Sequence, residues 1–373
     1  MMELTIPRKP LLDALYLAQG IVDRRVTLPI LGHVLLKAEG QTLEVVATDQ
    51  EIGLRQRCAA SVQKGGAVTA AARVFYDVVR SLPEGEVTLR AVDRQRLEVR
   101  AGRSVFRIAG LDPADFPAMP TATAVSDGDK VLFATADLRR MLQRTAFSIC
   151  PDDTRLSLAG IFFDRRQAGT LKLAATDGHR LSLVQATMEG LPAGKGVIVP
   201  RKGVQEIAKV LESAEGEVTL HFSSSGLVFL ESQNTELAIR NIQGEFPDYK
   251  QVIREQSPSS AEINIGMWAD SLRRVAILSN ERTHGVRLQF EAGNLEVSTT
   301  SPELGEATDA LEISYTGQPL TLGSNVRYLL DALDTFDRAA TASVGLKDET
   351  NPAVITVDED PTFLYVVMPM RLP

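Results

Sequence analysis

Residues 171–183 read LKLAATDGHRLSL, a strand, a tight turn and a second strand. Apolar side chains alternate in LKLAA and resume in RLSLV, and Asp177-Gly178 supplies the turn chemistry between them. Working outward, residues 42–54 repeat the pattern as TLEVVATDQEIGL, and residues 294–307 repeat it more faintly as NLEVSTTSPELGEA. Asp49 and Asp177 stand 128 positions apart, and Asp177 and Ser301 stand 124 apart. Residues 84–89 and 215–220 both read EGEVTL, and the pairs Phe116-Pro117 and Phe246-Pro247 echo each other at the same long spacing. Solenoid and propeller repeats run to about 20–50 residues, so this period means a tandem of whole domains.

A chain of 373 residues suits two or three domains better than one core. Polar or Pro/Ser-rich linkers, TATAVSDGDK at 121–130 and REQSPSSAE at 254–262, divide it into domains 1–125, 126–256 and 257–373. Each unit has the same coarse order: a short strand, an amphipathic helix, strands that include the strand–turn–strand, a second helix, and more strands. Helical apolar spacing places the first helices at about 7–19, 136–148 and 269–279, and the second at about 72–81, 200–211 and 324–334. Asp137 and Asp270 fit first turns, Pro200 fits the first turn of its helix, and Ser324 fits a cap. The fold class expected is therefore α+β, three tandem domains each with two helices packed on antiparallel sheets.

The chain carries a net charge of −8. The six helix windows nevertheless hold 13 basic and 7 acidic residues, so they are net basic inside an acidic protein. Arg73 and Arg80 share a helix face, as do Arg140 and Arg144, and Arg201, Lys202 and Lys209. Each set alone reads as a solvated surface; the same sign on five of six helices points to phosphate binding that reads no bases. Tyr16, Phe75, Tyr76, Phe147 and Tyr328 are the helices' few aromatics, and several lie at core spacing. That favours a duplex backbone over a single-strand stacking platform.

The remaining signals are mostly exclusions. No apolar run approaches the ~20 residues of a membrane span, and MMELTIPRKPLLDAL at the start does not read as a secretory signal. Cys58 and Cys150 lie far apart and read as free buried thiols of a cytoplasmic protein. No zinc spacing, P-loop, H-E-x-x-H or dinucleotide fingerprint occurs, so neither metal nor cofactor is expected. Asp177 and His179 could be taken for an acid/base pair, but turn chemistry explains them better and no nucleophile motif accompanies them. His33, His221 and His284 read as structural. A modular β-rich adhesin, the other rival, would need an export signal and would not explain the basic helices.

Six stretches bring in a family. TLPILGHVLL (27–36), AATDGHRLSLV (174–184), VIVPRKGV (197–204), GEFPDY (244–249), AILSNERTHGVRL (276–288) and YVVMPMRL (365–372), with ATDGHRL the most specific core, make the whole chain resemble the bacterial beta sliding clamps. The resemblance implies a non-catalytic processivity subunit of the replicative DNA polymerase. It implies three DNA-clamp domains per chain and a head-to-tail homodimeric ring around double-stranded DNA.

Matching positions then supply candidate residues. The DNA-facing set is Arg25, Arg73, Arg80, Arg140, Arg201, Lys202 and Arg274. A groove for short linear motifs of the polymerase alpha subunit, the clamp loader, other polymerases and repair proteins would use Leu158, Thr176, Gly178, His179, Arg180, Leu181, Pro247, Val252, Asn325 and Tyr328. The chain end, Val366, Val367, Met368, Pro369, Met370, Arg371 and Leu372, completes it, and the two methionines suit a groove that repacks around several partners. Phe106 and Ile108 would face Ile277 and Leu278 of the next chain. Gln251, Thr283, Pro352 and the extra Pro373 depart from the family pattern and bear on the groove's rim and peptide preference.

Overall fold

The computed structural model describes residues 2–22, 28–93, 95–122, 129–253 and 257–371. The turn after Thr176 is built by its own side chains. Thr176 Oγ1 donates to the Arg180 carbonyl (2.5 Å) and accepts from the Gly178 N–H (3.0 Å). Asp177 Oδ1 accepts from the N–H groups of His179 (2.9 Å) and Arg180 (3.1 Å). The same four bonds recur at Thr48 and Asp49, with Ile52, Gln50 and Glu51 as the partners. Short polar side chains that bond the backbone two to four residues on are what makes Thr-Asp a turn former. In the third repeat Ser301 Oγ accepts from Leu304 N–H at 3.3 Å, a looser version that matches the fainter sequence.

The described strands form four antiparallel sheets. The first orders β5 (Ser61–Lys64), β1 (Glu3–Pro7), β7 (Glu86–Asp93), β8 (Arg96–Ala101) and β9 (Ser104–Ala109). The second orders β10 (Asp129–Ala134), β15 (Glu217–Phe222), β16 (Leu227–Glu231), β17 (Thr235–Arg240), β4 (Ile52–Ala59), β3 (Thr42–Thr48), β2 (His33–Glu39) and β6 (Gly66–Ala71). The third orders β14 (Val197–Pro200), β11 (Gly160–Asp164), β12 (Thr170–Thr176), β13 (Arg180–Thr187), β26 (Asp360–Val367), β25 (Ala353–Val357), β24 (Thr341–Leu346), β18 (Ser259–Asn264) and β22 (Ser314–Thr316). The fourth orders β21 (Gly305–Glu312), β20 (Asn294–Ser301), β19 (Gly285–Glu291) and β23 (Leu320–Asn325).

Two of these sheets run through the repeat boundaries. β4 pairs with β17, placing Ile52 opposite Ile239 and Gln56 opposite Thr235. β13 pairs with β26, placing Arg180 opposite Val367 and Val184 opposite Phe363. Counted from the turn threonine, both junctions use the same register. Because the ladders cross the boundaries, the middle repeat is divided between two compact units, residues 1–139 with 202–241 and residues 140–201 with 242–373. Each unit has an apolar centre drawn from both sides of its boundary. Leu35, Val46, Phe116, Phe229 and Ala238 meet in the first, and Phe162, Leu181, Leu183, Tyr249 and Val366 in the second.

Among the described residues the α-helices are α1 (Arg8–Ile21), α2 (Ala72–Ser81), α3 (Thr135–Gln143), α4 (Arg201–Ser213), α5 (Ile265–Ala276) and α6 (Val326–Leu333). α1 packs on α2, β3 and β4; α5 packs on α6, β20 and β21. Their ends correct several expectations. α5 begins earlier than apolar spacing suggested, because the Asn264 side chain caps it by accepting from Met267 N–H at 3.0 Å. Asp270 is thus in the second turn, not the first. Asn325, not Ser324, caps α6, accepting from Arg327 and Tyr328 N–H, while Ser324 is fully buried. Pro200 closes β14 rather than opening α4. α3 stops at Gln143; Thr145 turns its hydroxyl back onto the Met141 and Leu142 carbonyls, and a 3₁₀ turn follows at Ala146–Ser148. Cys58 and Cys150 are free and buried, and burial, with Asp13 nearby, pushes the Cys58 thiol up to about 11.

The two matched turns differ at one residue. Gly178 sits at φ +93°, which glycine adopts without steric cost because it has no Cβ, and Gln50 occupies the same place at φ +77°. A non-glycine residue there gives up about 1 kcal/mol. Gln50→Gly is therefore expected to raise unfolding stability by about 0.5–1 kcal/mol. A urea midpoint that moves up with an unchanged slope supports this; a midpoint that falls contradicts it.

Candidate peptide groove and nucleic-acid interface

The turn that the sequence singles out opens onto a cavity of about 180 Å³. Leu158, Thr176, Gly178, Arg180, Leu181, Pro247, Val252, Val366 and Met368 line it, nine of the expected groove residues. Arg155, Asp248 and Tyr249 line it as well and were missed. Tyr249 lay inside the quoted GEFPDY stretch; Arg155 had no signal beyond standing three residues before Leu158. Arg155 donates to the Asp177 carbonyl at 2.7 Å, so it braces the turn from outside.

Arg180 fastens the groove to the rest of its unit. Its guanidinium reaches Asp177 (3.0 Å), Asp331 on α6 (2.6 Å) and the Phe147 carbonyl (2.7 Å), and lies over the Tyr328 ring at 4.4 Å. Burial opposes its charge, but Tyr365, Asp331 and Asp177 hold its pKa above the ordinary value. Asp177 is spent on this arginine and on two backbone N–H groups, which is turn chemistry and leaves no acid/base pair with His179.

The other expected groove residues surround the cavity without lining it. His179 is exposed, and its ring stacks toward Tyr328 at 6.5 Å. Asn325 is committed to the α6 cap, and Val367 is buried in β26. The chain end is stitched across the rim by Met368 N–H to the His179 carbonyl (2.9 Å) and Met370 N–H to the Gly323 carbonyl (2.8 Å). Pro369 and Met370 are half-buried and Arg371 is exposed; Leu372 and Pro373 lie outside the described residues. Of the family departures, Gln251 and Thr283 are exposed and Pro352 is half-buried.

The basic residues divide into committed and open ones. Lys202 Nζ holds Asp49 (2.6 Å) and the Ile21 carbonyl (2.9 Å), so it ties α4 to the first turn and to the end of α1. Arg201 donates to the carbonyls of Ile149 and Cys150. Arg140 pairs with Asp360 at 2.7 Å, and Arg144, which the spacing put on the same face, is buried over Phe336. Arg274 holds Asp309. Arg73 and Arg80 on α2 are exposed; Arg80 pairs with Asp77 at 3.0 Å. Arg25 lies outside the described residues.

The expected inter-chain contacts fall on the edge strand β9 and on the segment that follows α5. Phe106 on β9 is 36% exposed, and Ile277, just past α5, is 75% exposed, large fractions for apolar side chains. Val105 and Leu304 are also exposed and were not anticipated. Ile108 is 5% exposed and is the one buried residue of β9, whereas Phe106, two residues away on the same face, is open; Leu278 is half-buried.

Comparison with known proteins fits this geometry. Models of the DNA polymerase III beta subunit match as its N-terminal domain over residues 2–120, its central domain over 133–248 and its C-terminal domain over 250–371. The beta sliding clamp of Vibrio cholerae is 35% identical over 372 residues and covers both chains completely. The solved DnaN sliding clamp of Bartonella birtlesii bound to griselimycin is 32% identical over the full length of both chains, with a TM-score of 0.93. That of Pseudomonas aeruginosa bound to griselimycin is 35% identical, again over both full lengths, with a TM-score of 0.91. With all three domains, the shared junctions and full-length relatives in agreement, the chain belongs to the DNA polymerase III beta subunit family, the bacterial beta sliding clamps.

Proposed function

We propose that this chain works as a cytoplasmic processivity clamp, that residues 1–125, 126–256 and 257–373 are its three domains, and that two copies close head to tail around duplex DNA. The carrying observation is the repeated junction. In each unit the strand that follows the conserved-geometry turn, β4 or β13, pairs in one register with the last strand of the next domain, β17 or β26. β21 follows the third turn, and β9 is the counterpart of β17 at the 131-residue spacing of EGEVTL; both end their sheets. Extending the register sets Leu304 of one copy opposite Ile108 of the other, and Thr308 opposite Ser104. Exposed Phe106, Val105, Ile277 and Leu304 then gain cover, and the arginines at 103 and 107 meet the acids at 303, 306 and 309. A heterologous contact that closes after two copies makes a ring rather than a filament.

Linkage through a ring makes tight binding unnecessary. A weak cationic lining attracts phosphates over a Debye length of ~10 Å and, reading no bases, meets little barrier to sliding. Arg73 and Arg80 are the residues freest to supply it; Lys202, Arg201, Arg140 and Arg274 would do so only while keeping their internal bonds. The apolar groove would take extended peptides from the polymerase alpha subunit, the clamp loader, and other polymerases and repair proteins, and griselimycin by analogy with the two relatives.

Three outcomes test this reading. Arg73→Glu with Arg80→Glu leaves the dimer intact and makes low-salt binding to duplex DNA weaker and less salt-dependent in fluorescence anisotropy; an unchanged salt slope contradicts the lining. Phe106→Ala with Ile277→Ala gives monomers in sedimentation, because truncating well-covered side chains costs about 2–5 kcal/mol each; an unchanged dimer refutes the contact. Removing residues 368–373 abolishes griselimycin binding while the dimer survives; retained affinity refutes the groove.

A further inference from the structure

The groove has one wall that belongs to no strand. Residues 246–252 contribute Pro247, Asp248, Tyr249 and Val252 to the lining, with only a 3₁₀ turn at Tyr249–Gln251. The backbone bonds of this wall close on itself, Gln251 N–H to the Asp248 carbonyl and Val252 N–H to the Tyr249 carbonyl. The Asp248 carboxylate likewise bonds Lys250 and Gln251 within the wall.

The tie to the sheet is a phenol. Tyr249, itself buried, donates its hydroxyl to Asp164 Oδ2 at 2.6 Å, and Asp164 ends β11 with 6% exposure. Arg166 grips the same carboxylate through Nε (2.8 Å) and a terminal nitrogen (2.6 Å), and its N–H adds a third bond at 3.0 Å. The guanidinium lies over Phe162 at 5.3 Å, Phe162 stacks on Phe246 at 4.9 Å, and Phe246 meets Tyr249 edge-on at 6.3 Å. Burial pushes the Asp164 carboxyl up, but the bonds from Arg166 and Tyr249 outweigh it and hold the group at about 2. Burial and the neighbouring carboxylate raise the Tyr249 phenol, so the donor stays protonated. The depressed acid contributes stability above the ordinary carboxylate pKa and loses it only as the pH falls through about 2. The anchor is thus a charge-assisted bond across the working pH range.

We propose that Asp164 and Arg166, neither of which lines the groove, are positioning residues for peptide capture, acting through Tyr249 to hold the 246–252 wall where a ligand can use it. The proposal rests on the groove reading above. A wall that spends only part of its time in place weakens apparent affinity by that fraction.

The test is calorimetric titration of the full-length dimer with griselimycin. Tyr249→Phe, which keeps the ring and loses the hydroxyl, should bind about tenfold more weakly, as for a wall in place about a tenth of the time. Arg166→Gln, at a side chain that is half exposed, should bind about threefold more weakly by the same relation, with Arg166→Lys partly restoring it. Val344→Ala in β24 loses stability without touching the wall and should keep wild-type affinity. If Tyr249→Phe and Arg166→Gln both bind as wild type while Leu181→Asp no longer binds, the anchor is structural only and the proposal is overturned alone. If the wild-type dimer itself does not bind, the groove reading falls and takes the proposal with it.

Discussion

The backbone ladder that crosses each repeat boundary is the constraint on which the molecule depends. A strand edge carries a row of N–H and C=O groups that must find partners or water. Here β4 and β13 satisfy theirs with β17 and β26 of the following repeat, in one register. Side chains consolidate each crossing: Arg55 joins Glu236 at the first, and Arg180 joins Asp331 at the second. The consequence is a chain whose compact units do not coincide with its repeats. It also leaves β21 and β9 at the ends of their sheets.

The groove is a by-product of the same junction. Pairing β13 with β26 brings the turn at Asp177 beside the chain end, and the Met368 and Met370 bonds keep it there. Arg180 serves both purposes, since it closes the turn through Asp177 and reaches α6 through Asp331. The counterpart turn at Asp49 uses its free oxygen to hold Lys202 instead. Cations that a charge count assigns to a DNA-facing surface are therefore partly consumed as internal ties. A weak net attraction is what a sliding ring requires, so this double use costs little.

What could be read from the sequence follows from the range of the interactions. The Thr-Asp turns were legible because their bonds are local, two to four residues apart. Two helix starts were not. Asn264 precedes Ile-Gly-Met-Trp, which shows no helical apolar period, and at residues 324–325 two cap-forming side chains stand together, so only packing decides between them. Ladder partners such as Leu54 and Leu237 lie nearly two hundred residues apart, and nothing in a local pattern pairs them. Nine groove residues came from family resemblance, whereas Asp164, which touches the groove only through Tyr249, had no signal in either reading.

The register of the intermolecular ladder is the most direct measure of the whole account. Ser104→Cys with Thr308→Cys places thiols directly opposite across the contact that the two internal junctions imply, within the Cα separation of about 4.4–6.8 Å that a disulfide tolerates. The native thiols are buried and stand apart from the reaction. Mild oxidation should convert the protein to a covalent dimer on a non-reducing gel, whereas Ser104→Cys with Ala310→Cys, two residues out of step, should cross-link poorly. No intermolecular bond, or a better yield from the displaced pair, would contradict the closed ring built by continuing this sheet.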